Sequence, residues 1–177
     1  MYQVLKEDHL IRSLSLKSTL PAAVVGILAL GLTSTSAVAA TVTTTFAVTA
    51  TVQATCLVSA TPMGFGTYTG VVANSTSTVS VTCTNTTPYN VGLSAGLATG
   101  ATVSARSMTG PASALLGYSL FSDSARTVNW GQTVGTDTVT GTGNGSAQAL
   151  TVYGQVAAGQ YLAPGAYADT ITATVTY

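Results

Sequence analysis

Side chains capable of acid–base, nucleophilic or metal chemistry are scarce beyond the first forty residues of this 177-residue chain. From residue 40 onward there is no Lys, Glu or His, and the charged side chains are Arg106, Arg126, Asp123, Asp137 and Asp169. Without a general base, the many Ser and Thr hydroxyls have no ordinary means of activation as nucleophiles. The aspartates are dispersed, and two of them lie in turn-like contexts where an Asx-turn role is the default interpretation. The inventory predicts a protein that is not an enzyme and has no cofactor.

The charge content also bears on the partners of the chain. A net charge of about minus one beyond residue 40, with only two arginines, could not neutralise a row of phosphates. The same shortage argues against an anionic membrane surface, which attracts clustered Lys or Arg. Abundant Thr, Ser, Ala, Val and Gly are typical of a β-rich extracellular domain with a hydroxyl-rich surface. We therefore expect neither nucleic-acid binding nor stable membrane insertion.

Residues 1–39 have the pattern of a secretory signal peptide. Basic residues at positions 6, 12 and 17 precede an apolar stretch over 20–32, and small residues at 37–40 provide an A-x-A cleavage site. The apolar stretch is short for a bilayer span, so it predicts a cleaved leader. Export leaves one domain of common size, beginning at Ala40 or Thr41.

Cys56 and Cys83 are the two cysteines of the chain. An even number in an exported protein favours a disulfide. Each cysteine shares the alternating apolar face of its segment, the even positions of 42–58 and the odd positions of 79–83, so both sulfurs are expected to face the core. Two free thiols, or half of a metal site, remain as the alternative, although a metal site would lack histidine.

Period-2 apolar patterns bounded by turn residues recur throughout the chain, and no segment has a helical period. Gly, Pro and Asn clusters separate them, as tight reversals require. Such a pattern predicts an antiparallel β-sandwich of immunoglobulin-like type. The predicted strands are 41–58, 68–73, 78–84, 89–94, 115–122, a weak segment near 133–140, 149–156 and 166–177.

The first alternating segment is longer than an ordinary strand of about five or six residues. Val42, Phe46, Val48 and Ala50 share one face of it, ahead of the cysteine and without a turn to fold the segment back. A free apolar strand is an aggregation hazard, so it either pairs within its own domain or adds to the sheet of another chain. An ordinary first strand of a self-contained sandwich stays open at this point.

The ordered set of sequence segments resembles the spore coat protein U domain family, which includes pilin subunits of archaic, Csu-type chaperone–usher pili. No single segment is diagnostic, but together they cover essentially all of the chain after the leader. The matching segments are FAVTATV before Cys56, MGFGTY at 63–68, VSVTC at 79–83, LGYSLFSDSART at 116–127 with Trp130-Gly131, and GAYADTITATV at 165–175 before Tyr177.

The resemblance implies an immunoglobulin-like sandwich that lacks its final strand. A periplasmic chaperone would lend a strand to the open groove, and at an outer-membrane usher the N-terminal segment of another subunit would replace it. Residues 40–52 would be this donor strand, through Val42, Phe46, Val48 and Ala50, and residues 53–177 the incomplete pilin domain. The strand that borders the groove and pairs with the chaperone would carry a shared apolar face, namely Ile171, Ala173, Val175 and Tyr177.

The expected function is therefore that of a structural subunit, secreted through the periplasm and assembled with copies of itself or related pilins into a surface pilus that serves adhesion and biofilm formation. A spore-coat or matrix protein of the same fold is one alternative. A monomeric adhesive or carbohydrate-binding module is another, with Tyr68, Tyr89, Trp130 and Tyr153 as a possible aromatic platform. Asp123 and Arg126, three residues apart in a predicted turn, are expected to form a weak local ion pair.

Overall fold

The computed structural model describes residues 38–177, so nearly all of the predicted leader lies outside the described residues. Residues 38–47 belong to a unit separate from Val48–Tyr177, and the strands lie in the second unit. Within the described part, no helix is long and apolar enough to cross a bilayer.

The domain is an antiparallel β-sandwich, as the sequence predicts. One sheet has five strands in the order β1-β2-β7-β5-β4, and the other has three in the order β6-β3-β8. The strands are β1 Cys56–Ala60, β2 Ala73–Cys83, β3 Pro88–Leu93, β4 Arg106–Thr109, β5 Leu115–Phe121, β6 Val139–Thr142, β7 Gln148–Val156 and β8 Ala173–Thr176.

The core lies between the two sheets and follows the period-2 pattern. In β5, for example, Leu116, Tyr118 and Leu120 are buried while the residues between them are not. Trp130 reaches the centre of the core, where its indole N–H donates to the Val91 carbonyl oxygen at 2.8 Å. Pairing a polar tip in this way removes the main cost of burying tryptophan.

Cys56 and Cys83 form the predicted disulfide, with 4.1 Å between their Cα atoms. The two residues face each other at the first pair of the β1–β2 ladder, and Cys83 is fully buried. The alternative of free thiols is therefore wrong. In the described range, no group of three or more His, Cys, Asp or Glu side chains is placed to hold a metal ion.

Several predicted strand limits are wrong. The alternating segment 41–58 contains a strand only from Cys56, because residues before it have no partner strand to bond. Residues 68–72 are not a strand, whereas β2 begins earlier than predicted, through polar positions that the apolar pattern could not mark. Similarly, the segment 133–140 is mainly a turn before β6, and the segment 166–177 is strand only over β8, apart from a single bridge of Ala168 to Thr109.

No strand was predicted for β4, Arg106–Thr109, which pairs with β5 at the edge of the larger sheet. Its inward position is occupied by Arg106, which is 1% exposed. A charged residue at a core position interrupts the apolar alternation by which a strand is recognised. Arg106 is tolerated because its guanidinium donates to four backbone carbonyl oxygens, those of Leu93, Ser94, Val103 and Trp130, at 2.7–2.9 Å.

Candidate docking groove

An apolar groove of about 560 Å³ opens between the two sheets. One wall is the end of β1 and the segment 60–65 that follows it, and the other is the segment 167–173 that leads into β8. The floor consists of core side chains from both sheets, chiefly Val79, Leu93, Met108, Tyr118, Leu120 and Val152. The groove therefore lies directly over the core and is lined mainly by apolar side chains.

Both walls carry unpaired backbone edges. In the part of the chain that the structure describes, β1 pairs with β2 alone, and β8 pairs with β3 alone. Each strand therefore has one edge whose N–H and C=O groups are free of ladder bonds. A free strand edge is a template for another strand, and here two edges border one groove.

Side chains on the two wall segments are more exposed than those on the floor of the groove. Val58, on the core-facing side of β1, is 42% exposed, whereas the floor residues Val79 and Leu93 are each 2% exposed. On the opposite wall, Ile171 and Ala173 line the groove and are half-buried. Val175 is also half-buried and packs against the core, and Tyr177 is 59% exposed. The four residues predicted for the groove strand thus share one face, but only the first two line the groove.

Met63 and Phe65 close one part of the groove. Their side chains pack over Gly154 of β7, where a β-carbon would collide with the Met63 sulfur and the Phe65 ring. The Phe65 ring also lies 6.2 Å from that of Tyr118, centroid to centroid, in a tilted arrangement. Glycine in a central strand permits this close approach, so the segment 61–65 follows the edge of β2 instead of leaving the sheet.

A hydrogen-bonded network fixes the far wall. The Tyr118 hydroxyl donates to Asp169 Oδ2 at 2.7 Å, and Asp169 Oδ1 accepts from the backbone N–H groups of Leu97 and Thr170. Gly96 packs so closely on this carboxylate that a β-carbon would overlap it. Burial raises the pKa of Tyr118, and the bond to Asp169 adds to the rise. The neutral hydroxyl is therefore the form that the fold requires, and its role is structural.

The other charged side chains likewise form hydrogen bonds with backbone groups. Burial lowers the pKa of Arg106, whose guanidinium N–H groups donate to backbone carbonyl oxygens. Asp137 accepts the Thr133 N–H at 2.6 Å, a bond back to the start of its own turn and not the Asx turn expected by default. Asp123 accepts N–H groups of Val128 and Thr127, and these bonds hold its pKa below the usual range.

Arg126 does not pair with Asp123, so the predicted local ion pair is wrong. Its guanidinium donates to the carbonyl oxygens of Gly154 and Ser124 and lies 5.8 Å over the Tyr153 ring. Asp123 is already satisfied by the turn that it closes, which leaves the arginine free to cross to β7. The N–H groups of Thr127 and Val128, four and five residues after Asp123, occupy its carboxylate. A surface ion pair with Arg126 would stabilise the domain too little to displace these bonds.

The four aromatic residues considered as a platform are not together on the surface. Tyr89 and Trp130 belong to the buried core, and Tyr68 and Tyr153 are half-buried. The Tyr68 hydroxyl donates to the Ala157 carbonyl oxygen at 2.6 Å, which attaches the chain after residue 66 to the end of β7. These residues stabilise the sandwich, and they do not form an exposed sugar-stacking surface.

Residues 38–55 carry no strand in the described structure. The side chains predicted for the donor face are exposed; Phe46, the largest of them, is 85% exposed, and Val42, Val48 and Ala50 are exposed as well. A row of apolar side chains at alternate positions is costly to leave in water. The molecule therefore has both an open apolar groove and an exposed alternating apolar segment.

Comparison with known proteins places the domain in a family. The model of the Spore Coat Protein U domain matches residues 42–174. "Protein U" of Myxococcus xanthus is 38% identical over 128 residues, which cover 65% of this chain and 71% of that protein.

A solved structure shares the fold. It is the CsuC-CsuE chaperone-tip adhesion subunit pre-assembly complex from archaic chaperone-usher Csu pili of Acinetobacter baumannii, matched at a TM-score of 0.51 and 23% identity. The match covers 72% of this chain but only 40% of the solved chain, so this chain spans less than half the length of that neighbour. With the sandwich matched and the family model covering most of its sequence, the chain belongs to the Spore Coat Protein U domain family.

Proposed function

We propose that the protein is a structural subunit that polymerises into a surface pilus by donor-strand complementation. The observation that carries the proposal is the apolar groove bordered by the free edges of β1 and β8. The same chain has, ahead of β1, an exposed segment with apolar side chains at alternate positions. Such a segment could insert its apolar face into the groove of another copy while its backbone extends the ladder from β8.

Energetics favour insertion between copies. Burying each large apolar side chain of the segment would contribute about 1.5–3 kcal/mol, and Phe46 is the largest of the set. The free backbone groups at the edge of β8 would gain partners at the same time. The inserted strand would fill the groove, and the core would continue across it into the donor side chains.

A periplasmic chaperone and an outer-membrane usher are the proposed assembly partners. The solved relative of the same fold is a chaperone–subunit complex, which supports a chaperone for this chain. A chaperone strand in the groove would protect the two free edges before polymerisation. Secretion through the periplasm, a leader over 1–39 and a role in adhesion and biofilm formation are parts of the same proposal.

A coat or matrix role is the second candidate, because the matched family model is that of the Spore Coat Protein U domain. The groove and the exposed segment would serve a coat polymer as well as a pilus. Immunogold labelling of vegetative cells and spores separates the two: fibres on vegetative cells support the pilus, and label confined to spores supports the coat.

The polymerisation itself is tested with matched variants of the donor segment. Phe46→Asp or Val48→Asp places a carboxylate on the apolar face, where burial without a partner is costly. Thr45→Asp and Thr49→Asp place the same charge on the opposite face. With chaperone and usher coexpressed, we expect fibres from the two threonine variants and short products or none from the other two.

A truncated chain that begins at Gln53 provides the complementary test. It should bind the chaperone, fail to polymerise, and gain thermal stability when a peptide of residues 41–52 is added. If the truncated chain is a stable monomer and its melting temperature does not change when the peptide is added, the sandwich is self-complete and the proposal is wrong.

A further inference from the structure

One end of the sandwich presents an uncharged apolar surface, here called the loop pole and defined by the loops 66–72, 110–114 and 157–166. Tyr161 is 86% exposed and packs one ring edge against Gly70. Val71 and Val72 beside that glycine are more than half exposed, and Leu162 is 39% exposed. None of the residues in the three loops carries a charge. An apolar patch of this kind on a secreted domain indicates a contact surface.

The three loops form a single surface because they are joined to one another. The Gly159 N–H donates to the Gly70 carbonyl oxygen at 2.9 Å, which links the first and third loops. Gly165 packs against the ring of Pro111, which links the third loop to the second. The Tyr167 hydroxyl donates to the Ala163 carbonyl oxygen and braces the third loop internally. Surface side chains are thus held on an ordered support.

The opposite end, the disulfide pole, consists of the Cys56–Cys83 bond and the loops 84–87 and 143–147. Backbone bonds from Gly143 to Thr87 and from Gly145 to Cys83 hold these loops beside the disulfide. The loops have no charged residue. Leu57 on the outer side of β1 is 74% exposed, and Val52 just before the disulfide is also exposed. This pole therefore presents apolar side chains within a neutral, hydroxyl- and amide-rich surface.

The direction of β8 determines which pole faces the next subunit. Residue pairing of Leu93 with Ala173 and of Asn90 with Thr176 shows that β8 runs toward the disulfide pole. A donor strand that pairs antiparallel with β8 must run the other way and leave the groove at the loop pole. This exit of the donor strand at the loop pole rests on the proposed donor-strand function.

The chain that connects the donor segment to its own domain is short. From residue 52, the end of the donor segment, to Cys56 there are four Cα steps, at most about 14 Å when extended. The disulfide pole of the donating copy must then lie close to the loop pole of the receiving copy. We propose that these two poles form a direct contact between consecutive subunits, with Val71, Val72 and Tyr161 of one copy against Val52 and Leu57 of the next.

The contact would add a second interface beyond the inserted strand. Both surfaces are apolar at their centres and neutral around them, so no charge would be buried without a partner. A fibre in which only the linker joined consecutive domains would be freely hinged at each joint. A pole-to-pole contact would instead fix the angle between subunits.

Photo-crosslinking in assembled fibres tests the contact. Benzoylphenylalanine in place of Tyr161 keeps an aromatic ring at the loop pole, and the same group at Thr151, exposed in the middle of β7, is the matched control. Irradiation should yield intersubunit products at position 161 and none at position 151. Peptide mapping should locate the attachment in residues 52–57, 84–87 or 143–147 of the neighbouring copy.

The outcomes separate this inference from the function on which it rests. Fibres that form through the donor segment, yet give no crosslink at position 161 or give one outside the disulfide pole, would overturn the pole contact alone. Fibres that form equally well from the chain beginning at Gln53 would overturn the donor-strand function as well. As a second measurement, Tyr161→Asp should lower the temperature at which fibres dissociate, whereas Thr151→Asp should leave it unchanged.

Discussion

Tyr118 in the floor of the groove is bonded to Asp169 in its far wall, through a hydroxyl that donates to the carboxylate at 2.7 Å. Tyr118 is a core residue of β5, whereas Asp169 lies in the segment that leads to β8. The bond therefore fixes the position of the groove wall relative to the larger sheet. It also explains how a carboxylate lies beside an apolar groove without a cationic partner: hydroxyl and backbone N–H donors satisfy it.

Tyr118→Phe should destabilise the domain and change its response to alkali. Loss of the hydroxyl leaves a partly buried carboxylate oxygen without its donor, at a cost of about 1–3 kcal/mol. Because the pKa of Tyr118 is raised in the folded state, the stabilisation is complete below its ordinary value of 10.0 and is lost as the pH rises through the folded pKa. Urea unfolding, followed by fluorescence of the single tryptophan, should show a smaller alkaline loss for Tyr118→Phe than for the parent chain.

Tyr153→Phe is the matched control, because its half-buried ring lies under Arg126 and keeps that contact without the hydroxyl. Its stability and alkaline response should follow those of the parent chain. Equal pH profiles for Tyr118→Phe and the parent would show that the hydroxyl does not support the groove wall.

Arg106→Lys should lower the free energy of unfolding more than a substitution at any exposed position. The guanidinium serves four carbonyl oxygens at once, and an ammonium group cannot reach them in the same planar arrangement. Each carbonyl left without a partner in the core is expensive, so we expect a loss of about 3 kcal/mol or more. Arg126→Lys, at the half-buried surface arginine, should change the free energy of unfolding by less than about 0.5 kcal/mol.

The sequence predicted the elements whose inward residues are apolar and missed those whose inward residues are not. Strands β5 and β7 were found because leucine, valine and tyrosine alternate with small or polar residues. Strand β4 was missed because its core position holds Arg106, and the network around Asp169 was missed because the residues it joins are far apart in sequence. No local sequence pattern marks the groove, since its lining residues Leu93 and Val152 occur in the same alternating pattern as other core residues.

Removal of the disulfide should affect the groove as well as global stability. Cys56→Ser with Cys83→Ser reopens a loop with a sequence separation of 27, which should cost about 3–4 kcal/mol in the chain-entropy model. The bond also holds the start of β1 to β2, and β1 is one wall of the groove. Denaturant unfolding under oxidising conditions should show this loss in the double variant. The parent chain with dithiothreitol should behave as the double variant does, and an unchanged midpoint in both would contradict the prediction.

Ala173→Phe should block the groove without damaging the sandwich. Ala173 lines the groove on the half-buried face of β8, whereas Thr174 beside it points outward and is exposed. A phenyl ring at position 173 would occupy space that an inserted strand needs, while the open groove leaves room for it in the free domain. A peptide of residues 41–52 should therefore bind the Ala173→Phe variant of the chain beginning at Gln53 at least about tenfold more weakly, which corresponds to about 1.4 kcal/mol. Thr174→Phe should bind the peptide as the parent does, and fluorescence titration with a labelled peptide measures both. If the two variants bind equally, the donor strand does not occupy the groove between β1 and β8.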